Sequence, residues 1–394
     1  MSKRLIASLA VLALGVTAAQ SATPVKIGFI TSLTGRFAEF GRQQRAGIDV
    51  AVKEVNGRTG GIRIDVQVED DASDVNKGLA AAEKLMNNGV NLILGAYSSG
   101  ITKPIAQYLS RQKVPFLVVT SSDDTITSPG LDYVYRLNQP ASSYAEVLFD
   151  IFADLGVKKV AIIAGSGAFE KSVQSAALNL AKSMNIEVVR NESYAQGQND
   201  FRPTLNGIKA LNPDAVFMVS YAEDSVGIMR QVKEVGLNAK VFVGAAAGFA
   251  LPDFIKGAGG AAEYVITATA WVPEMKTPNN ARLYTNLVNA LKGGEPSYHA
   301  AQAYAGVITA ADVMRRAGSN DRAAIERALA ATNLNTAYGP ISFKDAGGFK
   351  NQNMLKMVAQ QVQKVNGRLE FVPVAPKTLF TTKPQYPTPA WDKR

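Results

Sequence analysis

Two short serine-bearing turns carry the groups in this chain best suited to holding a ligand. Ser98-Ser99-Gly100 and Ser121-Ser122 each follow an apolar run and set hydroxyls beside backbone N–H groups at the entrance to a helix or loop. Hydroxyl and N–H donors together are what a carboxylate needs if it is held without a buried arginine. The same serines also suit plain helix caps. Phe37, Phe40, Tyr97, Phe169, Tyr221 and Trp271 fall at or near the ends of strand-like runs rather than inside core-facing periods. They are candidate walls of an apolar pocket, with ordinary loop packing as the alternative. Asp123, Asp124, Glu170 and Glu223 lie in the same set of loops and are candidate partners for a cationic group, or else caps and solvated charges.

Catalytic patterns are missing. The chain has no G-x-S-x-G elbow, no P-loop, no H-E-x-x-H and no G-x-G-x-x-G fingerprint. His299 is the one histidine, so a Ser-His-Asp triad would have to use it. Its surroundings, Pro296-Ser297-Tyr298-His299-Ala300-Ala301, read as the start of a helix, which favours a capping or packing role. With no cysteine there is no disulfide framework and no thiolate metal site, and no cofactor or metal is expected.

The elements that must position these loops alternate regularly. Apolar runs Val25 to Ile30, Ile62 to Glu69, Val90 to Gly95 and Val114 to Thr120 are spaced by helix-period segments Gln43 to Asn56 and Val75 to Asn87. The rhythm restarts near residue 142 with helix Ala145 to Leu155, strand Val160 to Ala164, helix Lys171 to Met184, strand Ala215 to Val219, helix Ser225 to Val235 and strand Val241 to Gly244. This alternation predicts two parallel sheets flanked by helices, an α/β architecture of two lobes. In such sheets ligands sit beyond the carboxyl ends of the strands, where the serines and aromatics above are found. After Trp271-Val272-Pro273 the chain reads as helical to Arg327, and Leu355 to Val365 with Arg368 to Val374 read as closing strands. Residues 376–394 carry little periodicity and are expected either to wrap a surface or to hang loose.

Residues 1–22 read as a secretory signal: Lys3 and Arg4, an apolar run from Leu5 to Val16, and small residues to Ala22. The run is shorter than the roughly 20 residues a transmembrane helix needs, so the mature chain is expected not to be membrane-embedded. The formal net charge of +9 shows no arginine-rich run, and nucleic acid is not an expected partner.

The stretch GFITSLTGRFAEFG from Gly28 to Gly41, GGI from Gly60 to Ile62, DDAS from Asp70 to Ser73 and GAYSS from Gly95 to Ser99 resembles the leucine/isoleucine/valine-type (branched-chain amino acid family) periplasmic substrate-binding proteins of ABC importers. The resemblance continues through Val114 to Phe116, Asp200-Phe201 and Arg230-Gln231 ahead of Gly236. It implies the type I periplasmic binding protein fold, two Rossmann-like lobes joined by a three-strand hinge. Lobe 1 is then 24–141 plus 272–350, lobe 2 is 142–271 plus 351–375, and 376–394 is a tail. It also implies a monomer in the periplasm, with ABC permease subunits as partners. Residue by residue, Ser99 matches the serine that binds the ligand carboxylate and Ser122 a backbone contact. Asp124 stands where amino-acid binders have threonine, Phe40, Phe169 and Tyr221 match aromatic contacts, and Trp271 lies near another apolar one.

Ala246 occupies the place where the amino-acid binders carry a glutamate for the ligand ammonium. A buried ammonium without a carboxylate costs several kcal/mol, so an α-amino acid suits the site poorly unless Asp123, Asp124, Glu170 or Glu223 substitutes. An aromatic carboxylic acid, benzoate-like or cinnamate-like, is the expected ligand. A branched-chain or other amino acid or an amide is the alternative, and a ligand-sensing module for a receptor is the alternative of another class.

Overall fold

A computed structural model describes residues 24–59 and 61–394. The expected signal segment, 1–22, and Gly60 of the GGI motif lie outside the described residues. Two seven-stranded sheets divide the chain. The first runs Lys344–Ala346, Phe349–Gln352, Val134–Arg136, Phe116–Val118, Ile93–Gly95, Val25–Thr31 and Ile64–Asp70 in spatial order. The second runs Arg368–Ala375, Val358–Val365, Ile266–Thr269, Val241–Gly244, Ala215–Val219, Lys159–Gly165 and Glu187–Tyr194. The first five strands of each half have the same spatial order, 2-1-3-4-5, all parallel. That order reverses direction beside the first strand of each lobe, and ligand crevices open at such switch points.

The sequence pattern explains the layers. Ala215–Val219 is buried along its whole length, as a parallel strand covered on both faces must be. Ile64–Asp70 and Glu187–Tyr194 alternate partly exposed residues and lie at the sheet edges. Helix Ala38–Asn56 buries the expected face, Ala46, Val50 and Val55. Val75–Asn87 begins where Asp74 accepts the Lys77 N–H. Helix Tyr298–Ala317 is buried on most sides because it packs against Ala38–Asn56. That pair is close enough that a Cβ on Gly47 would lie 2.0 Å from the Ala300 carbonyl oxygen.

Three segments cross between the sheets, after Arg136, after Thr269 and after Gln352. Gln352 Nε2 donates to the Asn138 carbonyl at 2.6 Å, Asn353 Nδ2 to the Leu137 carbonyl at 3.1 Å, and the Leu355 N–H to Gln139 Oε1 at 2.6 Å. The first and third crossings are thereby laced together. The tail lies along the second sheet: the Thr388 N–H donates to the Lys240 carbonyl and Trp391 Nε1 to the Leu237 carbonyl. Between the two outcomes left open for residues 376–394, the chain wraps.

Candidate functional site

The loops at the two switch points face each other. From the first lobe come Arg36-Phe37, Tyr97 to Ser99 and Thr120 to Asp124. From the second come Phe169-Glu170, Tyr221 and Ala247. Gly95, at φ +115°, lets strand Ile93–Gly95 turn out beside Val25–Thr31, where a Cβ would lie 2.1 Å from the Ile30 carbonyl oxygen. In the second lobe Gly248 is needed for close approach alone, since a Cβ there would run into the backbone of Tyr221.

Ser99 is the centre of the polar half. Its hydroxyl oxygen accepts from the Ser122 N–H at 3.3 Å and the Asp123 N–H at 3.2 Å. A serine hydroxyl has two acceptor lone pairs and one hydrogen, so with both lone pairs engaged Ser99 is left as a donor. It faces the cavity from the first turn of helix Ser99–Arg111, whose N-terminal dipole favours negative charge. The Ser121 hydroxyl donates to the Tyr97 carbonyl at 2.7 Å and ties the two serine turns together.

A buried arginine stands behind this loop. Arg136 Nη1 donates to the Asp123 carbonyl at 2.7 Å and Nε to Gln352 Oε1 at 2.6 Å. Among the described residues its Nη2 has no partner. Burial pulls the guanidinium down to about 10, with Asp124 and Asp123 opposing that shift, and it stays charged at neutral pH. The one side chain thus carries a positive charge under the serine turns and touches Gln352 beside the third crossing. Sequence reading missed it because Arg136 sits inside a strand of only three residues, Val134–Arg136, with no apolar run to announce it.

Rings fill the other half. Phe40 stacks on Tyr97 with centroids 4.3 Å apart, Phe37 meets Tyr221 at 4.7 Å, and Phe169 meets Tyr221 at 5.9 Å and Tyr144 at 6.0 Å. The Phe37 and Phe169 contacts with Tyr221 place rings of both lobes in one cluster. The cavity left among them is about 20 Å³, lined by Tyr97, Ser99, Thr120, Ser122, Phe169, Tyr221, Ala247, Tyr298 and His299. That is room for about one water, whereas a benzene-sized guest needs on the order of 150 Å³. Next to it a cleft of about 710 Å³ shares the wall of Tyr298.

Of the residues singled out from sequence, Tyr97, Ser99, Ser122, Phe169 and Tyr221 line the cavity. Phe40 is fully buried behind Tyr97. Ser98 is the N-cap residue of the helix that Ser99 begins, and no capping bond comes from its side chain. Asp124 is half-buried; its N–H donates to Ser172 Oγ of the second lobe at 3.1 Å, and burial raises its carboxyl despite Arg136. Ala246 lies beneath the wall, and its neighbour Ala247 faces the cavity; both hold positive φ, 54° and 44°. Trp271 is at the second crossing, where Nε1 donates to Asn280 Oδ1 at 2.6 Å, and it lines the neighbouring cleft.

None of the four candidate acids lines the cavity. Asp123 Oδ1 accepts from the Thr125 N–H and hydroxyl, the capping role allowed for it, and Glu223 is exposed. Glu170 accepts from Gln196 Nε2 at 2.7 Å while its Oε2, among the described residues, has no partner. Burial pushes this carboxyl up to about 7. Beside it Asp224, also raised by burial, sits 3.7 Å from Arg36, which reaches over from the first lobe and donates to Gln196 Oε1 at 3.1 Å.

Sequence reading did not single out Thr120 or Tyr298, and it favoured a capping or packing role for His299. Thr120 closes a run already read as a strand, and the Tyr298-His299 pair opens a buried helix, so neither position departs from its element's pattern. Among the described residues no group of three or more acids, histidines or cysteines forms a metal site, and no helix is long and apolar enough to cross a membrane.

The chain matches the periplasmic binding protein family over residues 24–366. It is 28% identical over 355 residues to Leu/Ile/Val-binding protein homolog 3 of Brucella melitensis, covering 88% of this chain and 94% of that one. Among solved structures it is similar to the branched-chain amino acid transporter substrate-binding protein of Streptococcus pneumoniae in complex with isoleucine, with TM-score 0.77, 22% identity, and 89% and 100% of the two chains covered. It is similar in the same degree to a solute-binding protein of an ABC transporter from Rhodopseudomonas palustris in complex with 3,4-dihydroxybenzoic acid, with TM-score 0.78, 23% identity, and 89% and 96% covered. Two doubly wound lobes, three crossings and a cavity between their switch points are the features of a type I binding fold, and this chain belongs to the periplasmic binding protein family.

Proposed function

We propose that this chain is the exported solute-binding component of an ABC importer and that it takes a small aromatic carboxylic acid between its lobes. The observation that carries the reading is the acceptor-saturated Ser99 hydroxyl, a donor aimed into a ring-walled cavity with no carboxylate on its lining. Ser99, the helix N-terminus and the Arg136 charge favour an anion at one end. The faces of Tyr97, Phe169 and Tyr221 favour a flat apolar body. An α-ammonium would find no carboxylate on the lining, and burying it there without a counter-ion costs several kcal/mol. The structural neighbour from R. palustris, which holds a dihydroxybenzoic acid, is consistent with this ligand class. The Leu/Ile/Val relatives point to amino acids instead, and Ala246-Ala247 argues against that transfer.

The cavity admits about one water in this conformation, so ligand entry requires the lobes to part about their three crossings and the rings to separate. The closed form is then the one presented to the permease. The test is a melting-temperature screen of the chain lacking residues 1–22, unfolded and refolded to strip carried ligand, against aromatic carboxylates and the amino acids. A ligand at a hundred times its dissociation constant adds about 2.7 kcal/mol, a shift of a few degrees at this size. Stabilisation by benzoate-like or cinnamate-like acids and not by leucine is expected. Stabilisation by leucine alone overturns the ligand class.

A further inference from the structure

His299 also lines the cavity. It enters from the first turn of helix Tyr298–Ala317, packed against Tyr298 at 3.9 Å, Phe40 at 5.1 Å and Tyr97 at 5.5 Å between ring centroids. Its exposure is 2%, and Nδ1 is 3.1 Å from the Ser297 hydroxyl. Among the described residues the ring's polar contact is the one at Nδ1, so the Nε2 of this cavity-lining ring is left for whatever fills the cavity. A purely apolar ligand would leave that atom unsatisfied, at the desolvation cost of a lone buried polar group.

Neither charge nor packing accounts for the residue fully. Burial among rings drives the imidazole down to about 3, so it is neutral across the physiological range. A neutral imidazole forms no ion pair with the carboxylate, and a phenylalanine would fill the same space between Tyr97 and Tyr298 without a polar atom. The Ser297 contact allows either tautomer, so Nε2 is a donor or an acceptor. A hydroxyl answers both, since it donates and accepts. A carbonyl answers only the donor form, and an ammonium only the acceptor form.

We propose that His299 is a specificity-determining residue that reads a hydroxyl group on the bound carboxylate, so that the preferred ligands are hydroxylated acids rather than plain hydrocarbon ones. This rests on the cavity of the preceding section being the ligand site. The experiment is titration calorimetry on the refolded chain with two matched pairs: benzoate against 3- and 4-hydroxybenzoate, and valine against threonine, which have nearly the same shape. Wild type, His299→Phe and His299→Gln are compared, each with its melting temperature recorded.

The expected result is that wild type prefers the hydroxylated member of a pair on the order of tenfold or more. His299→Phe abolishes the preference while keeping the affinity for the plain member, and His299→Gln retains part of it. A wild type that binds benzoate as tightly as both hydroxybenzoates, or a His299→Phe variant that keeps the preference, overturns the assignment. Should the phenylalanine variant fail to fold, the wild-type preference and the glutamine variant decide it in the same way. If only amino acids bind and threonine beats valine through His299, the aromatic-acid reading fails and the His299 assignment stands. Silence from both pairs overturns both.

Discussion

The two lobes share one topology and differ in what they present to the space between them: rings come from both, the serine donors from the first. In each, the strand order 2-1-3-4-5 puts the functional loops at the same switch point. The first lobe turns hydrogen-bond donors inward: the Ser99 hydroxyl, the helix N-terminus behind it and the charge of Arg136. The second turns rings inward, Phe169 and Tyr221, and keeps its acids, Glu170 and Asp224, out of the cavity lining. A doubled fold therefore decides where a ligand sits, while the loop residues decide which half binds and which half covers. On this comparison the first lobe should carry ligand affinity and the second should carry closure.

The largest expected effect separates packing within a lobe from packing across the cleft. Phe40→Ala removes a fully buried ring stacked on Tyr97 of the same lobe and should destabilise the protein by about 3–5 kcal/mol in urea unfolding. Tyr221→Phe keeps the ring and should leave stability near wild type. Equal losses from the two would break the distinction.

Next comes pH, where the second lobe differs in sign from the first. Burial raises the Glu170 carboxyl to about 7 from an ordinary 4.5, so the folded state holds a proton the unfolded state has released between those values. Stability from this group is full below pH 4.5 and is lost as pH rises through 7, on the order of 3 kcal/mol. His299 in the first lobe runs the other way. Its folded value, about 3, lies below its ordinary 6.5, so its contribution is full above pH 6.5 and is lost as pH falls toward 3. Urea midpoints of Glu170→Gln between pH 4.5 and 7 should be flatter than those of wild type, and identical slopes would remove Glu170 from the account.

Ser99→Ala deletes the donor that the first lobe aims into the cavity. Carboxylate affinity should fall by about 1.5–3 kcal/mol, on the order of ten- to a hundredfold by calorimetry, with the fold intact. A loss matched by Phe169→Ala would mean the lobes share the work evenly. The smallest effect belongs to an ion pair that crosses between the lobes. Arg36→Gln loses the contact to Asp224 at 3.7 Å, and because Arg36 is about a third exposed the change should stay below about 1 kcal/mol. Small-angle scattering should find the ligand-free lobes more open in this variant, and an unchanged profile would assign Arg36 no part in closure.

Residue patterns alone determined a good deal. Alternation of apolar runs and helix periods marked two parallel sheets, because a strand covered on both faces must be apolar throughout, as Ala215–Val219 and Val241–Gly244 are. Turn chemistry at strand ends marked Ser99, Ser122, Tyr97, Phe169 and Tyr221, five residues that meet around one cavity from segments more than a hundred positions apart. Only the tertiary structure decided the rest. Arg136 and His299 lie inside elements whose local pattern gives no sign of them, since burial and partners depend on what packs from the other end of the chain, Gln352 for one and Phe40 with Tyr97 for the other. Likewise sequence left Asp123, Asp124, Glu170 and Glu223 equivalent. Packing separated them into a cap, a half-buried interlobe contact, a buried acid turned to Gln196 and an exposed charge, because the cost of a charge is set by its surroundings and not by its residue type.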